Sequence, residues 1–126
     1  MKNAQDLVLF AKSQITEIDV DLAEKEIAAA DVLIDVREPD EFAMVHIQGA
    51  VHIPRGLLEF KMSSSESLSP RDLQVLIYCK NGGRSSLAAK TLAEMGYLNV
   101  KAIAGGFDAW SAAGKSIAKI AHPELG

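Results

Sequence analysis

Cysteine is nearly absent from this 126-residue chain, which has one cysteine, four prolines and 6% aromatic residues. A single thiol excludes an internal disulfide and any zinc site built from several cysteines. The apolar run at residues 7–11 is too short for a signal peptide or a membrane span, so we expect a cytoplasmic protein. Basic residues number 13 against 17 acidic ones, and the net charge of −4 argues against nucleic acid or an anionic membrane as the main partner.

The composition is that of a globular protein, with 48% hydrophobic and 24% charged residues. The length fits one domain of ordinary size. A domain of this size buries enough surface to fold without a disulfide or a structural metal. The sequence therefore predicts one soluble domain that carries one thiol.

Strand and helix patterns alternate along the chain. The strands are predicted at residues 15–18, 32–36, 50–53, 73–78 and 100–104. The helices are predicted around residues 7–11, 22–29, 38–42, 85–95 and 107–113. This alternation predicts an α/β fold with a mainly parallel central sheet flanked by helices, in which ligands bind at the carboxyl ends of the strands.

The segments outside the strands give three further predictions. Asp21 is predicted to cap or flank the helix at 22–29. Residues 62–70 contain five serines and are predicted to form a flexible surface loop. The tail that begins at Gly114 is predicted to be partly frayed.

Four features favour a reactive thiolate at Cys79. The residue stands where a strong strand runs into a loop and then a helix. Gly82-Gly83 permits the close approach of backbone N–H groups that attract an anion. Lys80 and Arg84 add positive charge, and Ser85 adds a hydroxyl at the helix N-terminus, whose dipole also favours an anion. Together these residues predict an acidic protein that holds one small cationic pocket around its only thiolate.

Three segments of the sequence resemble single-domain rhodaneses, the rhodanese-homology domains of the sulfurtransferase family. They are Asp35–Phe42 with its continuation through His46–Ala50 to Ile53–Pro54, the loop Cys79–Ser85, and Gly105–Trp110. Their order and spacing match the family from about residue 15 to residue 114. The resemblance implies a rhodanese-like three-layer domain at 15–114, with an N-terminal helical extension at 1–14 and a C-terminal tail at 115–126. One departure is Val45, where the family usually has glycine.

The resemblance also implies a mechanism. Cys79 would take a sulfane sulfur from an anionic donor such as thiosulfate, hold it as a persulfide, and pass it to cyanide, a thiol or a protein. The loop residues would bind the substrate: Lys80, Asn81, Gly82, Gly83, Arg84 and Ser85. No cofactor is required. Because there is no second cysteine, the sulfur has to leave to an outside acceptor.

Two alternatives to this mechanism stay open. The domain could be a persulfide carrier or binding module that turns over small molecules poorly. It could also be a phosphatase or arsenate reductase of the same fold, but those loops place five residues between cysteine and arginine. Here four residues separate Cys79 from Arg84, which makes a tighter ring of amides better suited to sulfur.

The remaining candidates have structural interpretations. Asp35 and Arg37 are predicted to have a structural role, either as an ion pair or through bonds to neighbouring loops. The histidines lack spaced ligand partners, so no metal site is predicted: His46, His52 and His122. Arg55 is predicted to be solvated. Phe107 and Trp110 are predicted to face the core.

Overall fold

The computed structural model describes residues 1–119 and contains both a parallel and an antiparallel sheet. The strands are β1 Thr16–Ile18, β2 Val32–Asp35, β3 His46–Ile47, β4 Val51–His52, β5 Gln74–Tyr78, β6 Asn99–Ile103 and β7 Ile117–Ala118. The helices are α1 Ala4–Gln14, α2 Val20–Ala29, α3 Pro39–Met44, α4 Leu58–Ser64, α5 Gly83–Glu94 and α6 Gly106–Ala112. Short 3₁₀ turns occupy Arg55–Leu57 and Glu66–Leu68.

The central sheet has five strands in the order β1-β6-β5-β2-β4, and every pairing in it is parallel. The predicted α/β fold with a parallel central sheet is therefore confirmed. β5 is the middle strand, and its last four residues are all buried, as expected for an apolar strand covered on both sides. β3 and β7 form a separate antiparallel pair.

The two faces of the central sheet have different contents. Ile77 and Cys79 point to the side covered by α4 and α5, where they join Leu58 and Leu92; we call this side the cysteine face. Tyr78 belongs to the cluster on the other side, which α2 and α6 cover; we call that side the tyrosine face. The alternation along β5 follows from the two-residue period of a strand. α1 packs on α5 and so belongs to the cysteine face.

The prediction of a flexible loop at residues 62–70 is wrong. Residues 62–64 complete α4, and a 3₁₀ turn follows at 66–68. Leu58 and Met62 lie one helical turn apart and are both fully buried, which anchors α4 to the core. The serine-rich composition hides this pattern: Ser63 and Ser64 lie on the exposed side of α4, and the other three serines follow the helix.

Two further expectations about local structure are corrected. Asp19, and not Asp21, is the N-cap of α2; its carboxylate accepts from the Asp21 amide at 2.9 Å. The tail after Gly114, predicted to be partly frayed, contains β7, which pairs with His46–Ile47, while its residues 120–126 lie outside the described residues. Both strands of that pair have only two residues, too few for a two-residue alternation to show in the sequence.

Within residues 1–119, no helix is both long and apolar enough to cross a membrane.

Candidate functional site

Cys79 directly follows the carboxyl end of β5, between the sheet and the start of α5, as predicted. Its side chain is fully buried and belongs to the core cluster of the cysteine face. The chain turns from β5 into α5 through Gly82, whose φ of +108° is a left-handed conformation that favours glycine. This turn places the amide of Gly82, the N-cap of α5, beside the sulfur.

Two polar groups contact the sulfur of Cys79. The Gly82 N–H donates to Sγ at 3.1 Å, and the Ser85 hydroxyl lies 3.4 Å from Sγ. Because Gly82 is the N-cap of α5, the positive end of the dipole of this 12-residue helix also lies at the thiol. This set of fixed dipoles favours negative charge on Sγ or on a sulfur atom attached to it.

The N-terminus of α6 holds the backbone of the same loop. The Phe107 N–H donates to the Cys79 carbonyl at 2.8 Å, and the Asp108 N–H donates to the Lys80 carbonyl at 2.9 Å. This approach requires glycine at position 106, because a Cβ there would lie 2.4 Å from the Cys79 carbonyl oxygen. The Gly105–Trp110 segment therefore positions the cysteine from the opposite face of the sheet.

The predicted cationic pocket differs from what the structure shows, because both loop cations have carboxylate partners. Lys80 donates to both oxygens of Asp108 at 3.0 and 3.2 Å. Arg84 donates to both oxygens of Glu41 at 2.7 and 3.1 Å. The hydrogen bond from Arg84 lowers the pKa of Glu41 to about 2. Asp108 and Glu41 were missed because they come from α6 and α3, far from the loop in sequence.

Asp35 and Arg37 form a buried ion pair on the tyrosine face. Arg37 Nη2 donates to Asp35 Oδ2 at 2.8 Å, and the side chains are 4% and 0% exposed. The guanidinium lies 4.7 Å from the centre of the Phe107 ring and 5.7 Å from that of Tyr78. Burial opposes the charge of Arg37, but the hydrogen bond and charge of Asp35 outweigh it and raise its pKa. Burial also raises the pKa of Tyr78.

Val45 occupies its position without strain. Its φ of −167° is extended backbone, which any residue adopts, so no glycine is required there. The Val45 carbonyl accepts from Arg37 Nη2 at 2.6 Å. The departure from the family pattern therefore leaves the local turn intact.

The histidines of the described chain bind backbone carbonyls. His46 Nδ1 contacts the Phe42 carbonyl at 2.9 Å, and His52 Nε2 contacts the Arg37 carbonyl at 2.8 Å. Both rings stack on Phe42, at centroid distances of 3.9 and 4.6 Å. Residues 1–119 contain no cluster of three side chains suited to a metal. His122 lies outside the described residues.

The prediction of a solvated Arg55 is wrong. Its Nη1 donates to both oxygens of Glu59, and its Nη2 donates to the Thr91 hydroxyl at 3.1 Å. Arg55 therefore ties the 3₁₀ turn that contains it to α4 and α5. Phe107 and Trp110 are both buried, as predicted, and lie in the cluster of the tyrosine face.

Comparison with known proteins identifies the family. The family model of the rhodanese-like domain matches residues 19–113. A sulfurtransferase from Allochromatium vinosum is 34% identical over 105 residues, which are 82% of this chain and 94% of that protein. A probable adenylyltransferase/sulfurtransferase from Mycobacterium tuberculosis is 40% identical over 81 residues, which are 63% of this chain. The matched part is only 20% of that longer protein.

A solved structure from Rhodopseudomonas palustris shares almost the whole fold. The two sequences are 33% identical, and the structures superimpose with a TM-score of 0.82. The alignment covers 94% of this chain and 96% of that protein. It is described as a protein of unknown function and possible tyrosine phosphatase. The family model and the sulfurtransferase relatives together support sulfur transfer as the general activity.

Proposed function

This chain belongs to the rhodanese-like domain family, and we propose that it moves a sulfane sulfur through a persulfide on Cys79. The proposal rests on the position of Cys79 Sγ at the N-terminus of α5. There Sγ accepts a hydrogen bond of 3.1 Å from the Gly82 amide. A group held this way is stabilised both as a thiolate and as the terminal anion of a persulfide. Both anions occur in the proposed cycle.

The cycle has two displacement steps. The Cys79 thiolate attacks the outer sulfur of thiosulfate; an S–S bond forms to the protein, the S–S bond of thiosulfate breaks, and sulfite leaves with the electron pair. Cyanide then attacks the terminal sulfur of the persulfide. A C–S bond forms, the protein S–S bond breaks, and thiocyanate leaves while Cys79 returns to the thiolate. A thiol or a protein acceptor would take the sulfur in the same way.

The loop residues have assigned roles in this proposal. The amides from Lys80 to Ser85 stabilise the charged sulfur, because fixed dipoles aimed at an anion need no reorganisation during the reaction. Asn81 contributes to the turn, since its side chain accepts from the Gly83 amide at 3.4 Å. The chemistry needs no cofactor, and a reducing cytoplasm would keep the thiol free.

Thiosulfate and cyanide test the proposal directly. We expect the protein to form thiocyanate and to gain the mass of one sulfur atom after thiosulfate alone. Cys79→Ser should abolish both results while its thermal unfolding stays close to that of the wild type. Lys25→Gln, which changes an exposed residue on α2, is the matched control and should keep the full rate. Thiocyanate formation by Cys79→Ser at the wild-type rate would refute the proposal.

A persulfide carrier is the second candidate, and burial of the thiol favours it. Cys79 has no exposed surface, and Lys80 and Arg84 are both paired with carboxylates. A donor docked as a protein could open this loop where a small molecule enters slowly. Such a carrier would show the added sulfur on Cys79, slow reaction with cyanide, and fast discharge to one protein acceptor.

Phosphate chemistry is the third candidate because of the description of the Rhodopseudomonas palustris structure. The four residues between Cys79 and Arg84 form a smaller ring than a tetrahedral phosphate needs. We therefore expect no hydrolysis of an aryl phosphate. Hydrolysis that disappears in Cys79→Ser would favour the phosphatase instead.

A further inference from the structure

Helix α1 delivers a lysine to the loop that holds Cys79. This helix precedes residue 19, where the match to the family model begins. It packs on α5 through the fully buried Ala11. Lys12 Nζ would lie 3.3 Å from a Cβ built on Gly82, and Val8 Cγ2 would lie 3.8 Å from one built on Gly83.

Lys12 is held differently from the two cations inside the loop. Lys80 and Arg84 each contact both oxygens of a carboxylate. Lys12 contacts one oxygen of Glu17, at 2.9 Å. An ammonium group carries three N–H donors, so Lys12 keeps donors for another anion. Its side chain is 33% exposed, which leaves it within reach of solvent.

The distance from Lys12 to the thiol is short. Gly82 connects them, since its amide donates to Cys79 Sγ at 3.1 Å and its α-carbon faces the ammonium. Adding the bond lengths between these atoms places Nζ within roughly 10 Å of Sγ. The screening length is about 10 Å at an ionic strength of 0.1 M, so Lys12 acts on any anion that approaches the sulfur.

We propose that Lys12 is a specificity-determining residue that attracts anionic reagents, and hence an anionic sulfur donor, to Cys79. The statement about a sulfur donor rests on the proposed function; the statement about anions does not. Glu17 moderates the effect because it neutralises part of the Lys12 charge. Removing Lys12 and removing the charge of Glu17 should therefore have opposite effects.

A structural role for the same ion pair predicts something else. If Lys12 only held α1 against β1, loss of either partner would disturb the loop in the same direction. The sign of the effect of Glu17→Gln therefore separates selection of anions from support of the fold.

The test uses two alkylating reagents of nearly equal size, the anion iodoacetate and neutral iodoacetamide. Because the chain has one cysteine, both rates report Cys79 alone. Their ratio cancels changes in access and in the thiolate fraction, which affect both reagents equally. We expect Lys12→Gln to lower the iodoacetate-to-iodoacetamide ratio by about two- to fivefold at low salt. Glu17→Gln should raise the ratio, and Lys12→Arg should preserve it.

Lys25→Gln removes the same charge from α2, on the other face of the sheet, and should leave the ratio unchanged. Equal ratios for the wild type and Lys12→Gln would overturn the proposal, as would a fall in Glu17→Gln. Failure of both reagents to reach Cys79 in the folded protein would also overturn it.

Thiosulfate kinetics then connect the result to the proposed function. Lys12→Gln should raise the KM for thiosulfate by a similar factor and leave kcat nearly unchanged. If Lys12→Gln changes the alkylation ratio but neither the wild type nor any variant forms thiocyanate, the proposed function fails. The anion selectivity of Lys12 then still stands. If thiocyanate forms at equal KM in the wild type and Lys12→Gln, Lys12 has no part in donor selection.

Discussion

The two faces of the central sheet treat charge in opposite ways. On the tyrosine face, Asp35 and Arg37 form an almost fully buried ion pair, and the Arg37 guanidinium lies over two aromatic rings. On the cysteine face, the sulfur of Cys79 is surrounded by an amide and a hydroxyl, and the nearby cations are paired elsewhere. The contrast shows full charges used to hold loops in place and neutral dipoles arranged around the reactive atom.

The two faces meet at the backbone of Cys79. Its side chain belongs to the cysteine face, while its carbonyl accepts from Phe107 on the tyrosine face. The side chain of the neighbouring residue Tyr78 points to the tyrosine face, where its ring packs beside Arg37. Changes on one face should therefore affect mainly stability and changes on the other mainly reactivity, with Gly106 as the point where the two are coupled.

Arg37→Met should have the largest effect on stability. It leaves the Asp35 carboxylate buried without its partner, which we expect to cost about 3–5 kcal/mol of unfolding free energy. Urea denaturation measures this loss. The folded fraction should alkylate Cys79 at the wild-type rate, since the ion pair lies on the other face.

The double variant Asp35→Leu/Arg37→Met is the matched control for that change. It removes both charges and should recover much of the lost stability. A single variant that unfolds within about 0.5 kcal/mol of the wild type, the range of an ordinary surface substitution, would contradict the contrast between the faces.

Gly106→Ala should be next, because it acts where the faces meet. The added Cβ would lie 2.4 Å from the Cys79 carbonyl oxygen, at a φ of +57°. We expect a loss of about 2–4 kcal/mol together with slower sulfur transfer, because the backbone of Cys79 has to shift. Gly114→Ala is the control: its φ is +72°, but its Cβ would meet no atom within 4 Å. Equal losses in the two variants would rule out the clash as the cause.

Glu41→Gln should have a smaller, pH-dependent effect. Because Arg84 lowers the pKa of Glu41 from 4.5 to about 2, the carboxylate stabilises the fold above pH 4.5. That contribution is lost as the pH falls from 4.5 to 2. After allowance for solvent screening, we expect it to be about 1 kcal/mol. Unfolding measured across this range should show a shallower loss of stability in Glu41→Gln, and an identical pH profile would contradict it.

Ser85→Ala should have the smallest effect and should act on reactivity alone. It removes the hydroxyl 3.4 Å from Cys79 Sγ. The loss of one hydrogen bond predicts persulfide formation slowed about two- to tenfold, with little change in unfolding. Ser111→Ala, at an exposed position of α6, is the control. If the loss of unfolding free energy exceeds the free-energy equivalent of the slower rate, the role of Ser85 is mainly structural.

Much of this arrangement is present in the sequence at short range. The apolar runs of β2 and β5 and the position of Cys79 before two glycines predict the parallel sheet and the place of the thiol. These features depend on neighbouring residues, whose spacing can be read directly. The alternation along β5 also assigns Tyr78 and Cys79 to opposite faces.

The rest depends on contacts between distant segments. The carboxylates that pair with Arg84 and Lys80 come from positions 41 and 108, and no local pattern indicates those pairs. The helix at residues 58–64 was hidden by serines on its solvent side. β3 and β7 are stable only together, so two residues of each carry no signal of their own.

The strand order has a consequence for folding during synthesis on the ribosome. β6 lies between β1 and β5, so Thr16 can pair with Lys101 only after the 84 residues between them have been synthesised. Parallel partners so far apart in sequence have a large loop-closure cost before any contact repays it. β1 is thus an unpaired strand until β6 has been synthesised. Between the synthesis of residues 79 and 107, Cys79 also lacks the hydrogen bond from the Phe107 amide, so its thiol is then more accessible than in the finished fold, where it is buried.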